Sequence, residues 1–307
     1  MKRNFNFKSW QPLLNSNRTI ASVDSTIFLE ALNDLIPIEI KAYASGKKYG
    51  TWTIPDEWNL HSGRIVGEGI DLSSEDHGLL VQTYSQPVDM KITKNELRPH
   101  VIFDEGRPND FIYYSKLSYQ YPKNISWRLS IPFNIWKNLP NSTFHIKIDS
   151  SFKPGSMKTG VANLPGKSKK TVIFVSHYCH PYQFDDGLGG VATAVELYNR
   201  LKLHNRNLTY KFLFVPETIG SVVELLSTPA DEIRDMIGGF FTEAPGKNIS
   251  LSVKMPHKVS NEFSNVVMNY LENIIKPGDF KSFRSNVSND EIVFGDPDFD
   301  IPIFSFL

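Results

Sequence analysis

Apolar residues in the second half of the chain alternate between short continuous runs and segments with helical spacing. The runs at 171–175, 212–215 and 239–242 have the composition of strands that are buried on both faces of a sheet. Helical spacing follows the first two runs, and a further helix is predicted over 261–276 with Ser260 as its N-cap. The predicted buried face of that helix consists of Phe263, Val266, Val267, Tyr270, Leu271 and Ile274. Because strands alternate with helices, this half is predicted to be an α/β unit with a mostly parallel sheet.

The first half of the chain has a different pattern of apolar and polar residues. A helix is predicted over 21–46, with a break or kink at Pro37 and its end at Gly46. Alternating runs between turns that contain Pro and Gly predict three strands, at 79–84, 88–92 and 143–148. The change of pattern near residues 50 and 150 predicts a discontinuous α/β domain of residues 1–50 and 151–307, with an inserted β-rich domain at 51–150.

The charge balance narrows the classes of partner. Lys plus Arg and Asp plus Glu both number 33, so the formal net charge is zero, which argues against a general binder of nucleic acid or anionic membrane. The single cysteine, Cys179, excludes an internal disulfide framework and a zinc site made only of cysteines. No apolar run is long enough for a signal peptide or a membrane span, so we expect a cytoplasmic protein.

Polar residues that could bind a metal follow each of the three buried runs. They are His177, His180 and Asp186 after the first run, Glu217 after the second and Glu243 after the third. The carboxyl ends of parallel strands meet at one edge of a sheet, where open α/β proteins bind their ligands. Imidazole and carboxylate groups suit zinc, and a carboxylate that is not a ligand can act as general base on metal-bound water. The pattern therefore predicts a zinc-dependent hydrolytic site.

Each of these residues also has a plainer structural interpretation. A single histidine at a strand end is more often hydrogen-bonded than bound to a metal. Asp186 could cap the helix that begins near 188, and Asp185 could do so equally well. Glu243 could be a solvated loop acid, and Cys179 is interpreted as a small apolar filler. The hypothesis of a site depends on the conjunction at three strand ends.

Two other motifs are rejected. The segment 160–168 resembles a P-loop, but it has five residues between its glycines instead of four, and it precedes a strand instead of following one. No G-x-S-x-G nucleophile elbow occurs in the sequence, so an α/β-hydrolase would lack its nucleophile.

Four motifs occur in an order that is similar to one bacterial family: Trp52-Thr-Ile-Pro-Asp-Glu-Trp58, Tyr84-Ser-Gln-Pro-Val88, Cys179-His-Pro181 and Pro216-Glu-Thr-Ile-Gly-Ser221. Over residues 20–307 the chain resembles the aminopeptidase-like family that is associated with polysaccharide-biosynthesis loci and akin to the zinc aminopeptidases. The resemblance implies an α/β fold with a zinc-exopeptidase-like, mostly parallel sheet flanked by helices, and an inserted small β-rich domain.

The resemblance also implies a role for each site residue. His177 matches the first metal-binding histidine, Asp186 the aspartate that bridges two zincs, and Glu217 the general base. Glu243 lies where relatives place a carboxylate ligand. Asp290, within Asn289-Asp-Glu291, is expected to orient the site.

Two departures from the family pattern limit the expected metal site. Thr218 stands where dinuclear relatives have a second glutamate, so we expect one zinc, with two as the alternative. The family's last histidine ligand lies in a later Tyr-His-Thr-Ser segment, and this chain is expected to be short of it because the sequence ends at Leu307. The expected ligands are then His177, Asp186 and Glu243, with His180 as a substitute.

Two hypotheses of function result from these observations. The first is a zinc-dependent aminopeptidase-like hydrolase of a peptide or amino-acylated small-molecule substrate, whose activity the missing ligand would impair. The alternative is a non-catalytic protein with the aminopeptidase fold that serves binding or assembly in polysaccharide biosynthesis. Neither hypothesis includes nucleic acid or a membrane as a partner, and the sequence does not predict the oligomeric state.

Overall fold

A mixed sheet of eight strands forms the centre of the fold in the computed structural model. The structure describes residue 10 and residues 13–114, 126–243, 251–259, 261–285 and 288–306. Within these residues the strands, in chain order, are β1 (Glu39–Ala44), β2 (Lys48–Tyr49), β3 (Trp52–Thr53), β4 (Glu57–Gly67), β5 (Ile70–Ser73), β6 (Val88–Thr93), β7 (Val101–Ile102), β8 (Leu129–Ser130), β9 (Thr143–Lys153), β10 (Ser156–Leu164), β11 (Thr171–His177), β12 (Thr209–Val215), β13 (Met236–Thr242), β14 (Val253–Lys254), β15 (Phe280–Lys281) and β16 (Ile303–Phe306).

The large sheet has a parallel centre and antiparallel additions at its edges. Its spatial order is β1, β10, β12, β11, β13, β16, β14, β15. The neighbours β12, β11, β13 and β16 run parallel to one another. Strands β1 and β10 pair antiparallel at one side, and β14 is antiparallel to β16 at the other. The parallel centre is the part of the sheet whose strands all end at one edge.

Helices cover both faces of the large sheet. The helices of the described residues, in chain order, are α1 (Val23–Asn33), α2 (Lys94–Leu97), α3 (Phe133–Asn138), α4 (Gly189–Leu201), α5 (Ile219–Ser227), α6 (Ala230–Asp235), α7 (Glu262–Leu271) and α8 (Asp290–Phe294). Helices α2 and α3 do not cover the large sheet; they lie between β6 and β9 and pack in a separate apolar cluster. Helices α1 and α4 share an apolar cluster with Val172 and Phe174, on one face of β11. Helices α5 and α8 pack with Ile173 and Val175 on the other face, as the alternation of side chains along a strand requires. No helix among the described residues is long and apolar enough to cross a membrane.

This architecture confirms the predicted α/β fold with helices around a large sheet. The predicted strands at 171–175, 212–215 and 239–242 lie within β11, β12 and β13, and most of their residues are buried. The predicted strands at 88–92 and 143–148 lie within β6 and β9.

A smaller sheet of four antiparallel strands lies between β3 and β10 in the sequence. Its order is β5, β4, β9, β6. The apolar cluster on this sheet includes Ile65, Leu80, Leu129, Phe144 and Ile146. The chain enters the sheet at Glu57 and leaves it at Lys153, and these two residues are paired neighbours in β4 and β9. The division of the chain into domains at about 50 and 150 stays a prediction.

The prediction of a helix over 21–46 is wrong after residue 33. Helix α1 ends at Asn33, and residues 39–44 form β1, which pairs with β10. Pro37 lacks the amide hydrogen that a continuing helix would need. Pairing with β10 then supplies the hydrogen bonds of the following residues, so tertiary structure overrides the helical spacing.

The prediction of a strand over 79–84 is also wrong. Among the described residues of this segment, Val81 forms an isolated bridge to Leu129, and the backbone then turns, with Tyr84 at a φ of 62°. Its apolar side chains are buried in the core of the smaller sheet without pairing as a strand. The apolar residues of this segment therefore indicate that it is buried, not that it forms a strand.

Helix α7 is shorter than predicted, and only half of its predicted buried residues face inward. Its N-cap is Asn261, whose side chain accepts a hydrogen bond from the Ser264 amide, while Ser260 lies outside the described residues. Three of the residues predicted to be buried are exposed, namely Val266 at 63%, Tyr270 at 66% and Ile274 at 56%. The helix packs inward through Phe263, Val267 and Leu271, which were predicted to be buried, and through Met268, which was not.

Candidate metal centre

Three parallel strands bring the candidate residues to one edge of the sheet. His177 is the last residue of β11, and its register partner in β12 is Val215. Glu217 follows β12 by two residues, and Glu243 directly follows β13. Because these strands are adjacent and parallel, the residues that follow them lie at the same carboxyl edge.

His177, His180 and Asp186 form a cluster of potential metal ligands. One ligand atom from each residue lies within 4.8 Å of the others. Nε2 of His177 is hydrogen-bonded to Oδ1 of Asp186 at 3.0 Å, and Nδ1 of His180 lies 3.2 Å from the same oxygen. Both imidazoles are buried, whereas the Asp186 side chain is 45% exposed, so the cluster opens to solvent on the aspartate side.

The loop between β11 and α4 carries Asp186 into the cluster. Its backbone forms an irregular turn, Phe184–Leu188, in which Asp186 and Gly187 leave helical geometry. Gly187 has a φ of 113°, and a Cβ at this position would lie 3.0 Å from Cδ2 of His177. Glycine is therefore required here by the backbone conformation and by the close approach of the imidazole. The N-cap position of α4 is Leu188, so Asp186 does not occupy the capping position that was its alternative interpretation.

His180 connects this cluster to the candidate general base. Its Nε2 lies 3.2 Å from Oε2 of Glu217, whose side chain is 26% exposed. Tyr113, from the segment between β7 and β8, packs against His180 with 5.2 Å between the ring centroids. Tyr113 was not identified from the sequence, because nothing in the pattern of the β-rich half places that residue beside the edge of the large sheet.

Cys179 contacts the backbone of the general-base candidate. The amide of Glu217 donates a hydrogen bond to Sγ of Cys179 at 3.2 Å. The cysteine is buried, and burial raises the pKa of its thiol to about 11. The thiol is therefore a neutral hydrogen-bond acceptor in this place, as well as the apolar filler that the sequence suggested.

Burial lowers the pKa values of the two histidines, and the neighbouring acidic groups raise them. Burial lowers the pKa of His177, but its hydrogen bond with Asp186 and the nearby carboxylate of Asp290 contribute to raising it, to about 9. Burial also lowers the pKa of His180, and its acidic neighbours, Tyr113 and the two nearest carboxylates among them, raise it well above its usual value.

The carboxylates of the cluster shift in the opposite direction. Burial raises the pKa of Asp186, and hydrogen bonds to the two histidines lower it by more, to well below its usual range. The same balance of burial against the two histidines lowers the pKa of Glu217. Without a metal, the cluster therefore combines protonated imidazoles with ionised carboxylates, and a cation would have to displace protons.

Glu243 lies outside the cluster of ligand atoms that the described residues form. Its Oε1 accepts a hydrogen bond from the side-chain amide of Asn289. Burial raises the pKa of Glu243 to about 7, although the nearby Lys254 lowers it. The geometry places His180 in the third position of the cluster, and the assignment of Glu243 as a ligand stays a prediction.

Asp290, the first residue of α8, is fully buried beside the site. Its Oδ1 accepts hydrogen bonds from the amide of Thr218 at 3.0 Å and from the hydroxyl of Ser221 at 2.5 Å. Its Oδ2 lies 3.9 Å from Nδ1 of His177. Ser221 was not identified from the sequence as a site residue, since a small polar residue in the first turn of a helix is too common to be a signal.

Several buried polar atoms of the site have no hydrogen bond among the described residues. They are Nδ1 of His177, Nδ1 of His180, Oε2 of Glu243 and Oδ2 of Asp290. Because buried polar groups are normally hydrogen-bonded, imidazole and carboxylate atoms without a hydrogen bond at this edge of the sheet fit a bound cation. Two imidazoles and a carboxylate are also a donor set that zinc accepts.

Comparison with solved structures defines the class of fold. A zinc aminopeptidase from Bacillus subtilis matches 100% of this chain and 86% of its own, with a TM-score of 0.62 and 13% identity. A Clostridium acetobutylicum protein, provisionally named a peptidase, matches 98% of this chain and 70% of its own, with a TM-score of 0.86 and 24% identity. The chain thus has the mixed α/β fold of the zinc aminopeptidases.

Sequence comparison then gives the family. The chain belongs to the DUF4910 family, a domain of unknown function, whose model matches residues 7–307. It is also 30% identical over 221 residues to a Clostridium acetobutylicum protein provisionally named a polysaccharide biosynthesis protein with an aminopeptidase-like domain. That match covers 71% of this chain and 49% of the relative, so the chain spans about half the length of the curated relative it matches. The resemblance stated from the sequence motifs is confirmed.

Proposed function

We propose that this protein is a zinc-dependent aminopeptidase-like hydrolase that acts on a peptide or an amino-acylated small molecule. The observation that carries the proposal is the cluster of His177, His180 and Asp186 within 4.8 Å, at the carboxyl edge of the sheet. Glu217 reaches the same cluster, with its carboxylate 3.2 Å from His180. The fold shared with zinc aminopeptidases supports this assignment. A cytoplasmic location belongs to the same proposal.

In this proposal His177 and Asp186 hold one zinc ion, and either His180 or Glu243 completes the protein ligands. Zinc in such a site polarises a carbonyl and lowers the pKa of bound water to about 7. Glu217 is the general base: its carboxylate accepts the proton of the attacking water and later returns a proton to the leaving amine. The lowered pKa of Glu217 keeps it ionised at neutral pH, which is the form a base requires.

The inserted β-rich domain, residues 51–150, is proposed to wall one side of the cleft and to set the size of the substrate. Tyr113 supports this part of the proposal because it brings an aromatic ring from that part of the chain against His180. The inserted domain would then contribute to substrate selection without contributing a metal ligand.

Metal content tests the proposal directly. Purified protein is expected to contain about one equivalent of zinc by mass spectrometry, and His177→Ala and Asp186→Ala should each lose it. His61→Ala is the matched control, because this exposed histidine bonds to Ser151 in the small sheet. Zinc well below one equivalent in the parent protein, with no change in either site variant, would exclude a zinc enzyme.

A second variant separates binding from chemistry. Glu217→Gln should retain zinc and lose hydrolysis of aminoacyl reporter substrates by at least about a hundredfold, because a general base contributes 10²–10⁴-fold. Hydrolysis that survives this change would show that Glu217 is not the base.

One observation favours a second candidate, a non-catalytic binding or assembly protein in polysaccharide biosynthesis. The imidazole of His180 lies 3.2 Å from both Asp186 and Glu217, so a protonated His180 can balance these carboxylates without a metal. The curated relative carries a polysaccharide-biosynthesis name in addition to its aminopeptidase-like domain. This candidate predicts that the folded protein contains no zinc and that added zinc does not change its thermal stability.

A further inference from the structure

The backbone directly after Glu217 is strained. The amide of Ile219 donates a hydrogen bond to the carbonyl oxygen of Glu217 at 2.7 Å, which closes a three-residue γ-turn. Thr218, at its centre, has a φ of 61° and a ψ of −63°. This is the rarer, strained form of the γ-turn, and a β-branched residue is especially disfavoured at positive φ. Such a conformation persists only where the surrounding structure enforces it.

Two side chains hold this turn from opposite sides. Sγ of Cys179 accepts a hydrogen bond from the Glu217 amide, and Oδ1 of Asp290 accepts one from the Thr218 amide at 3.0 Å. The same oxygen of Asp290 accepts the hydroxyl of Ser221, in the first turn of α5. The carboxylate therefore binds both the centre of the turn and the helix that follows it. Without it, the Thr218 amide would lose its side-chain acceptor.

The second oxygen of Asp290 faces a metal-ligand candidate. Oδ2 and the Nδ1 atom of His177 are 3.9 Å apart, both are buried, and each lacks a hydrogen bond among the described residues. A small rotation of the imidazole would close this gap into an N–H···O bond. A histidine that donates Nδ1–H to a carboxylate has a fixed ring orientation and presents Nε2 as a ligand. Nε2 is the atom that faces Asp186 in the cluster.

The resemblance leads us to expect that Asp290 orients the site; we infer, beyond this, that it is a positioning residue that couples His177 to Glu217 through the strained turn at Thr218. One oxygen holds the strained turn that aims Glu217, and the other orients His177. The inference rests on the proposed function for its catalytic meaning, whereas the mechanical part concerns only the backbone turn. The strained turn at Thr218 then has a function: it fixes the direction of the Glu217 side chain relative to the cluster.

Two conservative variants separate the two tasks. Asp290→Asn keeps an oxygen for Thr218 and Ser221 but places an NH₂ group toward Nδ1 of His177, which favours the wrong tautomer. We expect zinc affinity to fall by about 10–100-fold, the usual effect of losing such a partner. Ser221→Ala leaves the His177 contact intact and weakens the hold on the turn, so kcat should fall about tenfold, with zinc affinity and KM within about threefold.

The control is Ser150→Ala, which removes a buried hydroxyl that donates to the Ser85 carbonyl in the small sheet. It should change neither zinc affinity nor kcat. If Ser221→Ala behaves like Ser150→Ala, or if Asp290→Asn keeps full zinc affinity, Asp290 does not position the site.

A third measurement needs neither metal nor activity. Thr218→Gly relieves the positive φ, so it should raise the urea midpoint of the metal-free protein. In an Asp290→Ala background the turn is free to relax, and the same substitution should then give no gain or a loss. Ser221→Ala is the alternative background if Asp290→Ala fails to fold. An equal gain in every background would overturn the inference. Because this cycle uses the metal-free protein, it remains decisive if the protein proves not to be a zinc hydrolase.

Discussion

Gly187 allows the loop that carries Asp186 to approach His177 closely. An added Cβ would lie 3.0 Å from the imidazole and 3.1 Å from the His177 carbonyl oxygen, at a φ of 113°. We predict that Gly187→Ala destabilises the protein by about 2–3 kcal/mol, since unfavourable φ and steric displacement add. It should also weaken zinc binding by more than about tenfold, because Asp186 must move. Urea unfolding and equilibrium dialysis of zinc measure the two effects.

Two other glycines provide controls for that substitution. Gly46 has a φ of 79° with nothing within 4 Å of its Cβ position, and Gly278 has neither a positive φ nor a neighbour within that distance. Gly46→Ala should therefore cost about 1 kcal/mol through the backbone alone, and Gly278→Ala should be near neutral. Neither change should affect zinc. Equal losses in Gly187→Ala and Gly46→Ala would show that the contact with His177 is unimportant.

The raised pKa of His177 gives zinc binding a definite dependence on pH. A protonated imidazole has no lone pair for a metal, and the pKa of about 9 means that His177 is protonated in the metal-free protein at pH 7. Zinc binding at pH 7 should then release protons, and the apparent affinity should rise as the pH approaches 9. Calorimetric titrations in two buffers of different ionisation enthalpy measure this release. A binding heat that does not depend on the buffer would contradict the prediction.

The sequence predicted which residues lie near the site, but not which of them contact one another. Three strand ends could be predicted because apolar runs mark buried strands, and the order His177, Glu217, Glu243 follows from them. The third member of the cluster, His180 instead of Glu243, depends on how the loop after β11 turns back. Tyr113 comes from a remote part of the chain, and long-range contacts of this kind leave no local pattern.

A buried ion pair connects strand β14 of the large sheet to helix α8, which carries Asp290. Lys254 on β14 and Glu291 on α8 are 0% and 1% exposed, and Nζ donates to Oε1 at 2.8 Å. We predict that Lys254→Met destabilises the protein by about 3–5 kcal/mol, because Glu291 is left as an uncompensated buried charge. Urea unfolding measures the loss.

The exposed pair Lys258–Asp300 is the control for this element. Its atoms are 3.3 Å apart, and its side chains are 53% and 50% exposed. Lys258→Met should change stability by less than about 1 kcal/mol, as for most surface pairs. If Lys254→Met is as mild as Lys258→Met, the buried pair is not required to hold α8 in place.

Secondary structure was predictable where the chain is buried on both faces and less so at the edges. The central strands β11, β12 and β13 contain continuous apolar runs, whereas β1 has one buried residue, Tyr43, among exposed and half-buried ones, so no apolar run marks it as a strand. Helix α7 has apolar residues around most of its circumference, so periodicity could not select the inward face. Val266 and Tyr270 lie on the outer side although their spacing is helical.

At the scale of the whole molecule, residues of the β-rich part of the chain contact the α/β part at two places. The amide of Trp58, in β4, donates to the Ala21 carbonyl, and the Trp58 ring lies 5.7 Å from that of Tyr84. The second contact is that of Tyr113 with His180, beside the cluster. The β-rich part of the chain therefore contributes an aromatic ring beside the cluster, through which it would influence the proposed substrate cleft.

This contact yields a prediction about substrate recognition. Tyr113→Ala should raise KM for aminoacyl reporter substrates about tenfold with a smaller change in kcat, because it removes a wall of the cleft but neither a proposed ligand nor the proposed base. Tyr113→Phe keeps the ring and should retain most of the effect of the native residue. Phe111→Ala is the control, since Phe111 stacks on His77, with 4.5 Å between the ring centroids, and packs against the apolar cluster of the small sheet. A loss of kcat at unchanged KM in Tyr113→Ala would show that the small sheet acts on the chemistry and not on substrate binding.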